Sequence, residues 1–210
     1  LGEDDATGLA LGPACPDAVQ PSHVVHARGV LPQQVSDGFE QGVVAVVRLH
    51  QVPVFLQGLV HLAERARLDA RPGQKVLEIG TGSGYHAAVV SRLILPGGRV
   101  YSVERVGPLV KFAQNNLEKA GIDNVTVVEG DGSVGLPEHA PFDRIYYTCA
   151  APDVPEKVVD QLVEGGSILA VIGPKSGVQR LVLMRKTAGR LESENLTHCV
   201  FVPLIGELGY

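Results

Sequence analysis

Lysine, isoleucine, tyrosine, asparagine and methionine are all missing from the first 74 residues, although each occurs later in the chain. Their codons share A or T in the first two places, so a GC-rich gene translated out of frame would deplete this set. Two readings of residues 1–56 follow. One is a frame-shifted or mis-assembled translation, expected to be disordered; the other is an authentic GC-rich arm. Sequencing the locus separates them. Within this atypical segment Val43–Val47 is the one convincing strand candidate, between loop-like runs such as Gly12-Pro13-Ala14-Cys15-Pro16.

Other absences narrow the class. Cys15, Cys149 and Cys199 are far apart and form no C-x-x-C pair, which argues against a disulfide framework or a zinc site. They read as reduced thiols of a cytoplasmic protein. No apolar run approaches the ~18 residues of a membrane span, and no basic-then-apolar signal pattern opens the chain. A net charge of −5 argues against general binding to nucleic acid or anionic membrane. The protein is therefore expected to be a cytoplasmic monomer without a nucleic-acid or membrane partner and without a metal. At 210 residues it can hold one well-buried α/β domain, placed at residues 57–210.

That domain is organised around Lys75–Ala88. An apolar strand runs into Gly80-Thr81-Gly82-Ser83-Gly84, and a helix follows. Glycines alternating with small polar residues let the backbone take positive φ and let a ligand approach closely. In a parallel sheet this is where nucleotides settle, beyond a strand's carboxyl end and against a helix N-terminus. The dinucleotide fingerprint G-x-G-x-x-G fails here, because its last glycine would fall at Tyr85. The pattern present is E-x-G-x-G-x-G from Glu78, which resembles motif I of the S-adenosylmethionine-dependent methyltransferases.

The next strands carry suitable groups in the same places. Arg99–Glu104 ends on an acid about twenty residues past the glycines, where a carboxylate can accept from both ribose hydroxyls. Val125–Glu129 leads into Gly130-Asp131-Gly132, with Asp131 placed to reach an exocyclic amine. The candidate cofactor residues are thus Glu78, Gly80, Thr81, Gly82, Ser83, Gly84, Glu104, Asp131 and Gly132.

The intervening pattern alternates. Leu59, Leu62, Ala63 and Ala66 predict a short amphipathic helix before the first strand. Pro108 opens another helix, striped by Leu109, Phe112, Ala113, Leu117 and Ala120 and capped by Gly121. Phe142–Thr148 is a fourth strand. Asp153 and Glu156 have capping-box spacing for a helix through Leu162, and Gly165-Gly166 turns the chain into Ser167–Val171. Gly173–Gly177 is too short for a crossover, so Arg180–Met184 should return antiparallel, with a last strand at His198–Leu204. The expected fold is α/β: a doubly wound, mostly parallel seven-stranded sheet with antiparallel C-terminal strands.

Taken together, Val76–Ala88, Val100–Arg105, Asn124–Gly132, Ala140–Pro155, Gln161–Gly173 and Val200–Leu204 resemble the protein-L-isoaspartate O-methyltransferases. The distinguishing parts are Gly130-Asp131-Gly132 with Gly135, Ala140-Pro141-Phe142-Asp143, Thr148–Pro155, and Phe201-Val202-Pro203-Leu204. The resemblance implies a Rossmann-like methyltransferase sheet and S-adenosylmethionine as cofactor. It also implies methylation of the α-carboxylate of isoaspartyl residues in damaged proteins or peptides, the first step of repair. Such a carboxylate is ionised at neutral pH and the sulfonium is an activated leaving group, so no strong base is required. No catalytic residue is singled out; His86, His139 and His198 read as helix-start, loop and strand residues.

One departure stands out. The family carries a segment like T-I-S-A-P-H-M that lines cofactor and substrate pockets; here its place, Gln51–Leu59, does not match, and Val54 falls where the serine belongs. The chain is expected to bind S-adenosylmethionine and to methylate isoaspartyl peptides poorly or not at all. Two alternatives remain: a methyltransferase acting on a tRNA base or a small molecule, and a non-catalytic S-adenosylmethionine-binding module.

Overall fold

The structure is a computed structural model that describes residues 68–210. The atypical segment 1–56, the Val43–Val47 strand, the helix around Leu59–Ala66 and the Val54 position lie outside the described residues.

Seven strands form one sheet in the order β3-β2-β1-β4-β5-β6-β7. β1 (Lys75–Ile79), β2 (Arg99–Glu104), β3 (Val125–Glu129), β4 (Phe142–Ala151) and β5 (Leu162–Ile172) run parallel. β6 (Gln179–Thr187) and β7 (Arg190–Cys199) add an antiparallel pair. The doubly wound sheet with antiparallel C-terminal strands is thus observed. Helix α1 (Tyr85–Leu93) connects β1 to β2, and α2 (Gly107–Lys119) connects β2 to β3. Strand order reverses between β1 and β4, so their carboxyl ends flank the crevice of a doubly wound sheet.

Both faces of the central strands β1 and β4 are buried, as is the carboxyl half of β5, which is why these stretches read as nearly continuous apolar runs. One face packs Leu77, Ile79, Tyr147, Ile168 and Val158 together. The opposite face joins Val76, Tyr146 and Leu169 to Ala87 and Val90 of α1. Of the expected α2 stripe Ala113 and Leu117 are buried and Phe112 and Ala120 half-buried, whereas Leu109 is exposed and Val110 is buried instead; Pro108 stands in the first turn. Gly121 follows the C-cap at φ +62 and donates to Glu118 O at 3.0 Å, the left-handed stop its position predicts.

The lower end of the sheet is held by a buried cation. Arg144 Nε donates to Leu68 O at 2.7 Å and to Asp69 O at 3.1 Å, tying the segment before β1 to β4. Burial pushes its guanidinium pKa down, and the nearby Asp69 carboxylate acts in the opposite sense.

Three expectations require correction. The helix foreseen from Asp153 to Leu162 is a single turn, α3 (Glu156–Val159). Asp153 caps no helix: its carboxylate accepts from the adjacent Val154 N–H at 2.8 Å, and Pro155 occupies the cap position. Leu162 already belongs to β5, and Gly165-Gly166 lies inside that strand, within a shift of register against β4. Finally, the last strand is Arg190–Cys199 rather than His198–Leu204. β7 is a largely exposed strand with few apolar residues, so it lacks the alternation that marks a half-buried strand. The apolar Phe201–Leu204 run instead crosses the carboxyl end of β4, touching it through one Ala150–Pro203 bridge.

Candidate functional site

The turn after β1 combines three left-handed glycines, with φ +97 at Gly80, +55 at Gly82 and +82 at Gly84. Packing also forces Gly80, where a Cβ would stand 2.5 Å from Thr148 Oγ1; at Gly84 a Cβ would make a tight contact, 3.3 Å from Ala113 Cβ of α2. Thr148 donates to Ile79 O at 3.2 Å and bonds Gly80 O more closely, so β4 braces the turn. Gly84 caps α1, whose first turn then begins at Tyr85.

Beyond this turn lies a cavity of about 430 Å³, within the size range of small-molecule sites. Gly80 and Gly82 border it on one side, with Glu104 and Gly132 from the neighbouring strand ends. Val106 and Leu109 from the start of α2 and Val202–Ile205 from the C-terminal segment supply its apolar surface. Four of the nine residues expected from the sequence therefore meet in one cavity. The apolar residues, together with Thr148 and Cys149, were not foreseen as lining. For Thr148, Cys149 and Val202–Leu204 the only sequence signal was membership of the Thr148–Pro155 and Phe201–Leu204 stretches; Val106 and Ile205 carried none, and Leu109 read as part of the α2 stripe.

Glu104 is the polar centre of the cavity rim. Its Oε2 accepts from Gly82 N at 3.0 Å and its Oε1 from Val106 N at 3.0 Å, which fixes the carboxylate between the turn and α2. A carboxylate has about four lone-pair sites, so each oxygen keeps one for a ligand hydroxyl.

Glu78, Thr81, Ser83 and Gly84 lie behind the turn rather than on the cavity. Glu78 is fully buried, and its carboxyl accepts a short hydrogen bond from Ser102, which also meets Thr81 Oγ1 at 2.5 Å. Oε1 of Glu78 has no partner among the described residues; the Tyr146 hydroxyl is close enough to affect its charge but outside hydrogen-bonding geometry. Burial raises the Glu78 pKa to about 8, opposed by the Ser102 and Tyr146 hydroxyls and reinforced by Glu104. Ser83 contributes its carbonyl, which accepts from Asn116 Nδ2 at 3.0 Å.

Asp131 lies in an adjoining hollow beside Arg105 and Tyr210. Both its oxygens are engaged within the protein: Oδ1 accepts from Ser133 N at 2.9 Å and Ser133 Oγ at 2.7 Å, and Oδ2 from Glu207 N at 2.7 Å. The sequence placed this acid toward an exocyclic amine; in the fold its first partners are amides of its own chain. Gly132 is required by contact, since a Cβ there would lie 2.8 Å from Ile79 Cγ2.

Cys149 borders the cavity, but burial pushes its thiol up to about 12, with Glu104 and Glu78 adding to the effect. It is not a nucleophile at neutral pH. The histidines take structural places. His139 stacks on Tyr101 at 4.3 Å, His86 stands in the first turn of α1 with burial lowering its pKa to about 4, and His198 of β7 stands opposite Arg180 of β6. Among the described residues no helix is long and apolar enough to cross a membrane, and no cluster of three His, Cys, Asp or Glu is placed to hold a metal.

Residues 57–209 match the family model described as Protein-L-isoaspartate(D-aspartate) O-methyltransferase. The chain belongs to that family. A protein-L-isoaspartate O-methyltransferase of Hyperthermus butylicus is 48% identical over 150 residues, covering 68% of this chain and 62% of the relative. One of Methanopyrus kandleri is 52% identical over 145 residues, covering 68% and 64%. The match thus spans a little under two thirds of these family members' length. Among solved structures, a protein-L-isoaspartate O-methyltransferase superimposes with a TM-score of 0.70 at 31% identity, over 84% of this chain and 63% of the other. A Plasmodium falciparum protein assigned to the same activity, solved in complex with S-adenosyl-L-homocysteine, gives 0.64 at 25% identity, over 74% and 77%.

Proposed function

We propose that this protein binds S-adenosylmethionine at the crevice between β1 and β4 and transfers its methyl group to the α-carboxylate of L-isoaspartyl residues in damaged proteins. The observation that carries the reading is the convergence of Gly80, Gly82, Glu104 and Gly132 on one cavity, in a chain of this family. The donor set suits the cofactor: bare glycine backbone for close approach, a fixed carboxylate for ribose hydroxyls, and an apolar surface for a base.

When bound, the cofactor supplies an electrophilic methyl on a sulfonium. The protein's part is positional. The accepting carboxylate has a reference pKa near ~4 and needs no base at neutral pH. Cavity residues need only hold it in line at ~3 Å, which contributes several kcal/mol. Glu104 would hold the ribose hydroxyls, and the Gly80–Gly84 backbone would take the amino-acid end. Glu78, buried behind the turn, supports Ser102 and Thr81. Asp131 and Ser83 support the walls.

The test is calorimetry with S-adenosylmethionine together with methyl transfer to an isoaspartyl peptide. Binding with slow transfer is expected, because the Gln51–Leu59 segment lacks the family's serine. Val54→Ser should raise the rate. Transfer to tRNA in place of the peptide, or no binding at all, would overturn the proposal.

A further inference from the structure

β7 lies three strands from β4, yet Pro203, four residues past the end of β7, bridges Ala150 of β4. Four extended residues span at most ~14 Å, about what three strand spacings require, so this strap crosses the end of the sheet with little slack. It is pinned at two points. The pin at β4 is made by main chain only: Ala150 N donates to Val202 O at 2.8 Å and Leu204 N to Ala150 O at 2.7 Å. The pin at β6 is a side chain. Gln179 Oε1 accepts from Phe201 N at 2.6 Å, and Gln179 Nε2 donates to Phe201 O at 3.3 Å and to Pro174 O at 3.2 Å. The carbonyl and both N–H groups of this carboxamide are therefore engaged.

Gln179 is 1% exposed and lies outside the cavity lining, so it reaches no ligand there. It is also closely packed, since a Cβ on Gly173 would stand 3.1 Å from Gln179 Cγ. What it holds does border the cavity: Val202, Pro203, Leu204 and Ile205 line it together with Gly80 and Gly82. Along the strap the sides alternate. Phe201 packs against the buried cluster that contains Leu169 and Leu181, Val202 is 70% exposed, and Leu204 is buried. A slip of one residue would turn this set over, driving Val202 inward and Leu204 out. Two pins fix the number of residues between them and with it the side each one faces; a single pin leaves the strap free to bow or slip.

We propose that Gln179 is a positioning residue of the cofactor site: its carboxamide sets the place and facing of the Val202–Ile205 wall, and so governs nucleoside affinity without touching the ligand. This deepens the proposed function and rests on it for the identity of the ligand. A carboxamide suits the task because it is uncharged and can serve a backbone N–H and a backbone C=O at once, as a neighbouring strand would. It does so two residues past Cys199, where the β6–β7 ladder has ended.

The test uses the full chain with S-adenosyl-L-homocysteine as probe. Gln179→Met, which keeps length and burial but none of the three hydrogen bonds, should weaken binding about tenfold by calorimetry. Leu183→Ala, which removes core volume from the same strand, should lower the melting temperature at least as far and leave affinity within about twofold of wild type. In a Val202→Ala, Ile205→Ala background the further loss from Gln179→Met should shrink below about threefold, because the wall it holds is already cut back. In ligand-free Gln179→Met the Leu204 amide, which Gln179 does not touch, should exchange about tenfold faster while the Leu77 and Ile79 amides stay protected. Should Gln179→Met not fold, Gln179→Asn, which withdraws the carboxamide by one methylene, is expected to give the same pattern with smaller losses. Unchanged affinity, an equal loss in Leu183→Ala, an undiminished loss in the cut-back background, or unchanged Leu204 exchange would each overturn the role of Gln179. If wild type ignores the probe, the proposed function fails, and the exchange experiment still decides whether Gln179 holds the strap.

Discussion

The parallel and antiparallel halves of the sheet do different work. In β1, β2 and β4 every strand ends at the same edge, so the loops that follow converge there: the glycine turn, Glu104 and Thr148 come from three strands but meet within one cavity. β6 and β7 alternate direction, and neither strand places a residue in that cavity. Parallel packing concentrates function at one rim because each return helix restores the chain's direction. The antiparallel pair extends the core through Leu181 and Leu183, and serves the site only through the strap.

The comparison breaks most visibly at Gly80. Alanine there combines a left-handed φ with a Cβ 2.5 Å from Thr148 Oγ1, so Gly80→Ala is expected to cost about 3 kcal/mol in urea melts and to abolish S-adenosylmethionine binding. Next comes the buried acid of the same half. The folded Glu78 pKa, about 8, lies above its ordinary value of 4.5, so below pH 4.5 both folded and unfolded states hold the proton. Between these values only the folded state keeps it, and stability therefore falls as pH rises through that window, levelling off above it. Melts at pH 5 and pH 9 should differ by on the order of 3 kcal/mol from this group, a difference that Glu78→Gln removes.

Glu104→Ala removes the acceptor of Gly82 N and Val106 N. Binding should weaken by about tenfold or more in calorimetry, with a smaller change in melting. The smallest effect sharpens the contrast from the other half. Glu192 is exposed on β7 opposite Arg185, and Glu192→Ala should shift stability by less than ~0.5 kcal/mol and leave affinity unchanged.

Legibility in the sequence followed the same division. β1 to β4 and the two longer helices could be read because their apolar runs and stripes report burial directly, and the glycine turn because left-handed backbone requires glycine. β7 could not, since an exposed edge strand carries no such pattern. Asp153 and Glu156 had capping-box spacing, but Pro155 takes the cap position and the chain enters β5 at Leu162, which leaves room for a single turn. At the site, Glu104 was placed correctly at a strand's carboxyl end. The Asp131 contacts were invisible because their partners, Glu207 and Leu208, are 76 and 75 residues from Asp131 and Ser133. Spacing rules report neighbours along the chain, whereas these bonds join its last turn to the third strand's exit.

Thr148 gives the glycine bend a further property. Because β4 clamps the carbonyls of Ile79 and Gly80, the bend owes its shape to the protein alone. Little chain freedom is left there for an arriving nucleoside to quench, so the entropic toll of association should fall on the C-terminal wall, and temperature should alter its fit before it alters the floor.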